Sequence, residues 1–200
     1  MEDPDLENLL EAWRGGDLHA LGKIVEHTRK PLFGYIYGMV HDVHAAEDVF
    51  QDVWLRALRK LHRFQSDKLR AWLFRIARNR VIDLTRKRKP DASLEQPVGG
   101  GAREPATLSS FIASELPGPD RNTGNAELGE RIRAAVAVLP PEQREVFLLR
   151  MESGLPFKEI ATLQKTSINT ALARMQYALR KLRETLAADH AELPSGRGKS

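Results

Sequence analysis

Arg75, Arg78, Arg86 and Lys89 fall on one side of the stretch Leu69 to Lys89 when it is wound as a helix. Leu69, Trp72, Leu73, Ile76, Ala77 and Leu84 fall on the other. Cations in such a row can hold phosphates, while the opposite side can bury against a core. The charge is local. From Leu55 to Pro90 there are thirteen Lys and Arg against Asp67 and Asp83, a net of +11, whereas the whole chain carries only +4. That concentration marks an electrostatic footprint for an acidic partner such as nucleic acid. Phe64, beside small polar residues, and Trp72, one turn into the helix, add flat faces on which an unstacked base can lie. Aromatics at helical spacing also serve as core, and Trp72 is open to either role. Arg80 falls inside the apolar stripe. Buried alone it would cost several kcal/mol, so it should pair with a carboxylate or lie nearer the surface.

A second set of candidates lies near the C-terminus. A short helix from Phe157 to Leu163, the turn Gln164-Lys165-Thr166 and a long helix capped by Ser167 have helix-turn-helix proportions. The outward positions of the long helix's first turns are Ser167, Asn169, Thr170, Ala173 and Arg174. Asn and Arg can contact adenine and guanine through paired hydrogen bonds. An ordinary helical hairpin with a polar face has the same spacing. A third set is Asp48, Gln51, Asp52, Leu55 and Arg59, on one side of the run from Ala45 to Leu61. Acids in a first turn often only complement the helix dipole. Leu55 in their midst tilts the reading toward a docking face for a basic or polar partner helix.

Catalysis finds no support. No histidine has ligand spacing to carboxylates, and no P-loop, GxSxG or GxGxxG occurs. His41 and His44 are three apart beside Asp42, Glu47 and Asp48, which a helix entry explains better than a metal. No metal or cofactor is expected. There is no cysteine, which excludes disulfides and thiolate metal sites and fits a reducing cytosol. No apolar run has membrane-spanning length, and the N-terminus lacks the basic-then-apolar order of a signal peptide.

These candidates need helices to hold them. Hydrophobic residues make up 42% of the chain, enough for a core, and strand signals are poor. Leu6, Leu9, Leu10 and Trp13 repeat at helical spacing until Gly15-Gly16. Asp17 is an N-cap for the next helix, with Leu18, Leu21, Ile24 and Val25 inside. Pro31 opens a further segment carrying Leu32, Tyr35, Ile36, Met39 and Val40. Phe50, Trp54, Ala57, Leu58 and Leu61 make the buried stripe of the run from Ala45 to Leu61. His62 to Lys68 reads as a loop. From Pro90 to Asn125, proline and glycine pairs give a mildly acidic linker with one short amphipathic turn, Leu108 to Leu116. Helical spacing resumes at Ala126 with Leu128, Ile132, Ala135, Val136 and Leu139. Pro140-Pro141 starts another helix, and Gly154 ends it. The inner stripe of the last helix, running to about Ala187, is Ile168, Ala171, Leu172, Met175, Leu179 and Leu182. The tail should fray. The expected fold is all-α, two small helical domains joined by a flexible linker: residues 1–16 an N-terminal extension, 17–90 and 126–187 the domains, 91–125 the linker, 188–200 a disordered tail. Two further readings fit these residues: a free-standing helix-turn-helix regulator that dimerises, and an interaction module whose basic helix binds an acidic protein.

Four segments resemble a known family when taken together: HDVHAAEDVFQDVWLRALRKLHRF, LRAWLFRIARNRVIDLTRKRK, LPPEQREVFLLRMESGLPFKEIA and SINTALARMQYALRKLRETL. They are similar to the two domains of ECF-type sigma factors, the small alternative promoter-specificity subunits of bacterial RNA polymerase. The similarity covers about Asp17 to Pro90 (region two) and Ala126 to Leu186 (region four). It implies a cytoplasmic, non-enzymatic protein that binds core RNA polymerase, recognises two promoter elements and assists DNA melting. By position, Asp48, Gln51, Asp52 and Leu55 become the face for the β′ clamp helices. Phe64, Trp72, Arg75, Arg78, Asn79 and Arg86 become the minus-ten reading and melting surface, with a pocket for a flipped base. Ser167, Asn169, Thr170, Ala173 and Arg174 become the minus-thirty-five reader. The resemblance also implies contact with the β flap, a linker threading toward the polymerase active centre, and an anti-sigma factor of a kind that often holds such proteins. Three positions depart from the family pattern. Lys165 replaces the usual turn glycine, at about 1 kcal/mol if positive φ is needed there. Pro156 replaces a small polar N-cap and fits better as a first helical residue. Ala171-Leu172 replaces an aliphatic followed by lysine, removing one phosphate contact.

Overall fold

The computed structural model describes residues 4–64, 68–88 and 126–192. These residues form helices without a strand. They fall into two compact units. The linker, its amphipathic turn, Lys89, the centre of the loop after His62 and the last eight residues of the tail lie outside the described residues.

The first unit contains α1 (Pro4–Arg14), α2 (Leu18–Val40), α3 (Val43–Leu61) and α4 (Leu69–Arg88). Helix α2 packs on α1, α3 and α4, and α3 packs on α4. Asp17 caps α2 as expected, accepting the His19 N–H at 2.9 Å. Pro31 does not open a new helix; it lies inside α2. A proline there removes one backbone hydrogen bond and costs about 3 kcal/mol. Leu32, Phe33 and Ile36 beside it are buried, each worth roughly 1.5–3 kcal/mol, so packing outweighs the break. His41 ends α2 in the left-handed region (φ 55°), donating to the Tyr37 carbonyl at 2.8 Å. Asp42 then starts α3, accepting the Ala45 N–H at 2.7 Å. The centre of the unit is aromatic. Trp54, Tyr35, Phe50 and Phe74 are fully buried, and the Tyr35 and Phe74 rings meet edge-on at 5.5 Å.

Helix α4 is rotated relative to the expected stripe. Leu69, Leu73 and Ala77 are buried, but so are Ala71, Phe74 and Val81, while Trp72, Ile76 and Leu84 are half-exposed. Apolar residues cover so much of this helix that spacing admits more than one inner face. The Phe74 ring against Tyr35 selects the one used.

The second unit contains α5 (Ala126–Ala137), α6 (Pro141–Ser153), α7 (Phe157–Gln164) and α8 (Ile168–Glu192). Helix α8 packs on the other three, and α6 also on α7. Pro140 caps α6 from an extended conformation and Pro141 is its first residue. Arg144 reaches back from α6, its Nη2 donating to the Ala137 and Leu139 carbonyls at 2.8 and 3.0 Å. That satisfies the open end of α5, and burial lowers the guanidinium's pKa. Gly154 ends α6 at φ 69°, where a Cβ would be strained. Pro156 is the N-cap of α7 rather than its first helical residue. Its carbonyl accepts from both Glu159 and Ile160.

Two expected stripes in this unit are only partly buried. On α5, Ala135, Val136 and the following Leu139 are buried, but Leu128 and Ile132 are exposed. On α8, Ala171, Ala178 and Leu182 are buried, whereas Ile168, Leu172 and Leu179 are 46%, 39% and 37% exposed. Ala171 and Ala178, with Leu182, take the inner side of α8, and the larger Ile168, Leu172 and Leu179 are left toward solvent. Helix α8 also continues to Glu192, past the expected end near Ala187.

Candidate nucleic-acid interface

On α3, Asp48 and Gln51 are exposed, and Asp52 and Leu55 are half-exposed. Their spacing puts all four on one side of the helix. Asp52 is already engaged. Its carboxylate accepts from Arg56 Nε at 3.1 and 3.2 Å and pairs with Arg80 of α4. Arg80 in turn reaches Asp83 at 3.4 Å. The arginine that looked misplaced in the apolar stripe is thus the cation of an ion-pair cluster tying α3 to α4. No sequence signal distinguishes Asp52 from Asp48 in this respect, because the partner lies 28 residues away.

Arg75, Asn79 and Arg86 are exposed and Arg78 is half-exposed. They occupy one side of α4, and Trp72, grouped above with the apolar side, lies at the edge between the two. From Trp72 to Arg86 this row is about 21 Å long at the rise of an α-helix. At its head the Phe64 and Trp72 rings lie 4.7 Å apart, tilted by 31°, and both residues are half-exposed. Trp72 is therefore neither core nor a free side chain. It is half of an aromatic pair at the mouth of the loop. Such a pair followed by a row of cations can stack a base and hold its backbone.

In the second unit, α7, a tight turn and α8 form the helix-turn-helix. Lys165 takes the left-handed conformation (φ 54°, ψ 47°), its N–H directed at the Ala161 and Thr162 carbonyls. The turn does require positive φ there, and lysine accepts the strain. Ser167 caps α8: its Oγ accepts the Thr170 N–H at 3.1 Å and lies 2.8 Å from the Thr170 hydroxyl. Asn169 is exposed and Ala173 half-exposed on the side away from the core. Arg174 does not project freely with them. Its Nη1 donates to Gln164 Oε1 at 2.8 Å. The Gln164 amide donates in turn to Glu145 Oε2 at 2.6 Å and to the Glu142 carbonyl at 3.1 Å. Glu145 and Gln164 are 6% and 9% exposed. This chain of contacts links α6, α7 and α8 and holds the Arg174 guanidinium against the body of the unit.

Three further positions stand out in the second unit. Gln164 looked like a turn residue and is the buried hub. Glu145 is buried beside it. Gln176 is exposed, seven residues after Asn169 and three after Ala173, so helical spacing alone could have found it. Farther along, the Arg180 guanidinium lies 5.0 Å from the centre of the Tyr177 ring. On α5, Arg133 donates to Glu130 at 2.6 Å and lowers its carboxyl pKa. Among the described residues no cluster of His, Cys, Asp and Glu is arranged to hold a metal. Nor is any helix among them long and apolar enough to cross a membrane.

Comparison with known proteins finds two family matches in chain order. Sigma-70 region 2 matches residues 24–90 and Sigma-70 region 4 matches residues 129–182. The chain is 31% identical over 172 residues to the ECF RNA polymerase sigma factor SigW of Bacillus subtilis, covering 86% of this chain and 91% of that protein. Among solved structures it resembles CnrH in complex with the cytosolic domain of CnrY, with a TM-score of 0.63 and 25% identity, covering 94% of this chain and 99% of that one. It also resembles RpoE in complex with the anti-sigma factor NepR, from Bartonella quintana, with a TM-score of 0.60 and 25% identity, covering 84% and 96%.

Proposed function

The chain belongs to the ECF RNA polymerase sigma factors, and from that premise we propose which of its surfaces meet the polymerase and which meet the promoter. Its function as an alternative sigma factor is to bind core RNA polymerase and direct it to specific promoters for transcription initiation. Residues 17–90 serve as region two and 126–187 as region four, with 1–16 an extension and 91–125 the connecting linker. Asp48, Gln51 and Leu55 form the docking face for the β′ clamp helices. Asp52 contributes by holding α3 against α4. Phe64 and Trp72 receive an unstacked non-template base of the minus-ten element, and Arg75, Arg78, Asn79 and Arg86 hold the strand that carries it. Unstacking costs a few kcal/mol, which capture in a prepared site offsets. Region four engages the upstream minus-thirty-five duplex with Ser167, Asn169, Thr170 and Ala173, while Arg174 positions the helix that carries them. Region four also meets the β flap.

The observation that supports this reading most is the one-sided row on α4, with an aromatic pair at its head and cations behind it. The protein performs no chemistry of its own and works in the cytoplasm. The two solved relatives are bound to the CnrY cytosolic domain and to an anti-sigma factor, which supports a regulator of that kind here. Run-off transcription with core polymerase on genomic fragments tests the reading. Discrete start sites that depend on this chain are expected, and they should vanish for Phe64→Ala with Trp72→Ala while core binding persists. A chain that protects a palindromic site without polymerase would instead be a free-standing regulator.

A further inference from the structure

We infer that α8 selects its upstream duplex through adenine and thymine edges, with Gln176 in the reading set and no guanine clamp. This rests on the proposal that α8 is the minus-thirty-five reader. Asn169, Ala173 and Gln176 share the side of α8 opposite the buried Ala171, Ala178 and Leu182. They span about 10 Å along the helix, within the roughly 12 Å width of a major groove. Asn and Gln pair with adenine N6 and N7, and small apolar groups contact the thymine methyl. Beside this row the exposed Ile168 and Leu172 add apolar surface where a phosphate- or guanine-binding cation could have stood.

Guanine is read chiefly by Arg or Lys directed at O6 and N7. From Ser167 to Leu179 the single cation is Arg174, and its Nη1 is held by Gln164, itself bound to Glu145. Cations resume at Arg180, Lys181 and Arg183. These begin about 18 Å from the helix start, beyond the turns that read bases, and Arg180 lies against the Tyr177 ring. They suit phosphates, which fix register without specifying sequence. A G·C pair opposite Ala173, Ile168 and Leu172 would leave its acceptors and its N4 donor facing apolar groups, unpaired once water is expelled, and at Asn169 and Gln176 the paired amide contact favours adenine.

The test is binding of the full chain with core polymerase to promoter duplexes varied one base pair at a time across the upstream element. Within the contacted segment, each A·T to G·C change at a read position is expected to weaken binding roughly tenfold. Replacing thymine by uracil there, which removes only the methyl, should weaken it several-fold. Asn169→Ala and Gln176→Ala should each flatten the preference at one position, the two lying about three base pairs apart. Both residues are exposed and helical, so both variants should melt with the wild type. A guanine preference that disappears in Arg174→Ala would overturn the inference while leaving α8 as the reader. So would a Gln176→Ala variant with an unchanged base profile beside an altered Asn169→Ala. If neither variant changes any upstream position while promoter-specific transcription persists, α8 is not the reader and the inference falls with it.

Discussion

Asp48 and Asp52 lie one turn apart on α3, yet their carboxylates have different work. Asp52 pairs with Arg56 and with Arg80 of the neighbouring helix, whereas Asp48 is exposed. Asp48→Arg should therefore weaken core polymerase binding without changing the melting temperature. Asp52→Arg sets a third cation against the other two and should lower stability by about 1 kcal/mol, the scale of a part-exposed ion pair. Thermal melts beside pull-downs separate the effects, and equal melting of both variants would remove Asp52 from the fold. The Gln164 amide presents its carbonyl to Arg174 and its NH2 to Glu145. Gln164→Leu keeps the volume and removes both contacts, taking a donor from a buried carboxylate. A loss of about 1–3 kcal/mol is expected, read as a lower denaturant midpoint. A midpoint within error of wild type would show that solvent replaces the hub.

At the scale of elements, α4 combines two sides with separate duties. The inner side is held by Phe74 against Tyr35. The outer row carries Arg75, Asn79 and Arg86, which are exposed, and Arg78, which is half-exposed; it is the side proposed above to meet nucleic acid. If Arg75 and Arg78 each neutralise one phosphate, replacing both by glutamine should flatten the salt dependence of DNA binding. The slope of log K against log salt should fall by about 0.7–0.9 per lost contact. Titrations at several salt concentrations give that slope directly. An unchanged slope with weaker binding would mean that these arginines act on the fold instead. Helix α2 shows that a breaker need not break: Pro31 sits inside it because the residues around the proline are buried on the same core.

For the whole molecule, two units with separate cores engage two sites on one machine. Joining weak modules raises avidity by about 10²–10⁴ without any new contact, provided that both sites can be reached together. Cleavage at a protease site placed between Lys89 and Ala126 should therefore cost promoter binding by the polymerase about 10²–10⁴-fold, while each unit keeps its own melting transition. Gel-shift titrations before and after cleavage measure that loss. Retention of full affinity would mean that one unit supplies nearly all of it.

Composition, breakers and helical spacing were enough to reveal the all-helical fold, the caps at Asp17 and Ser167, the helix-turn-helix and the basic row on α4. Each depends on residues within a few turns of one another. The motifs in their order also carried the family, and through it the function. Helix rotation and side-chain pairing were not legible, because both are settled by residues distant in the chain. Apolar spacing on α4 and α8 admits more than one inner face, and contact with Tyr35 in one unit and packing on the other three helices in the second chose between them. The spacing gave Asp52 and Arg174 as outward positions and Gln164 as part of a turn, and it gave no sign of the partners, 10 to 28 residues away, that the fold brings beside them. A lone buried charge costs far more than a paired and hydrogen-bonded one, so their roles follow from packing rather than from local pattern.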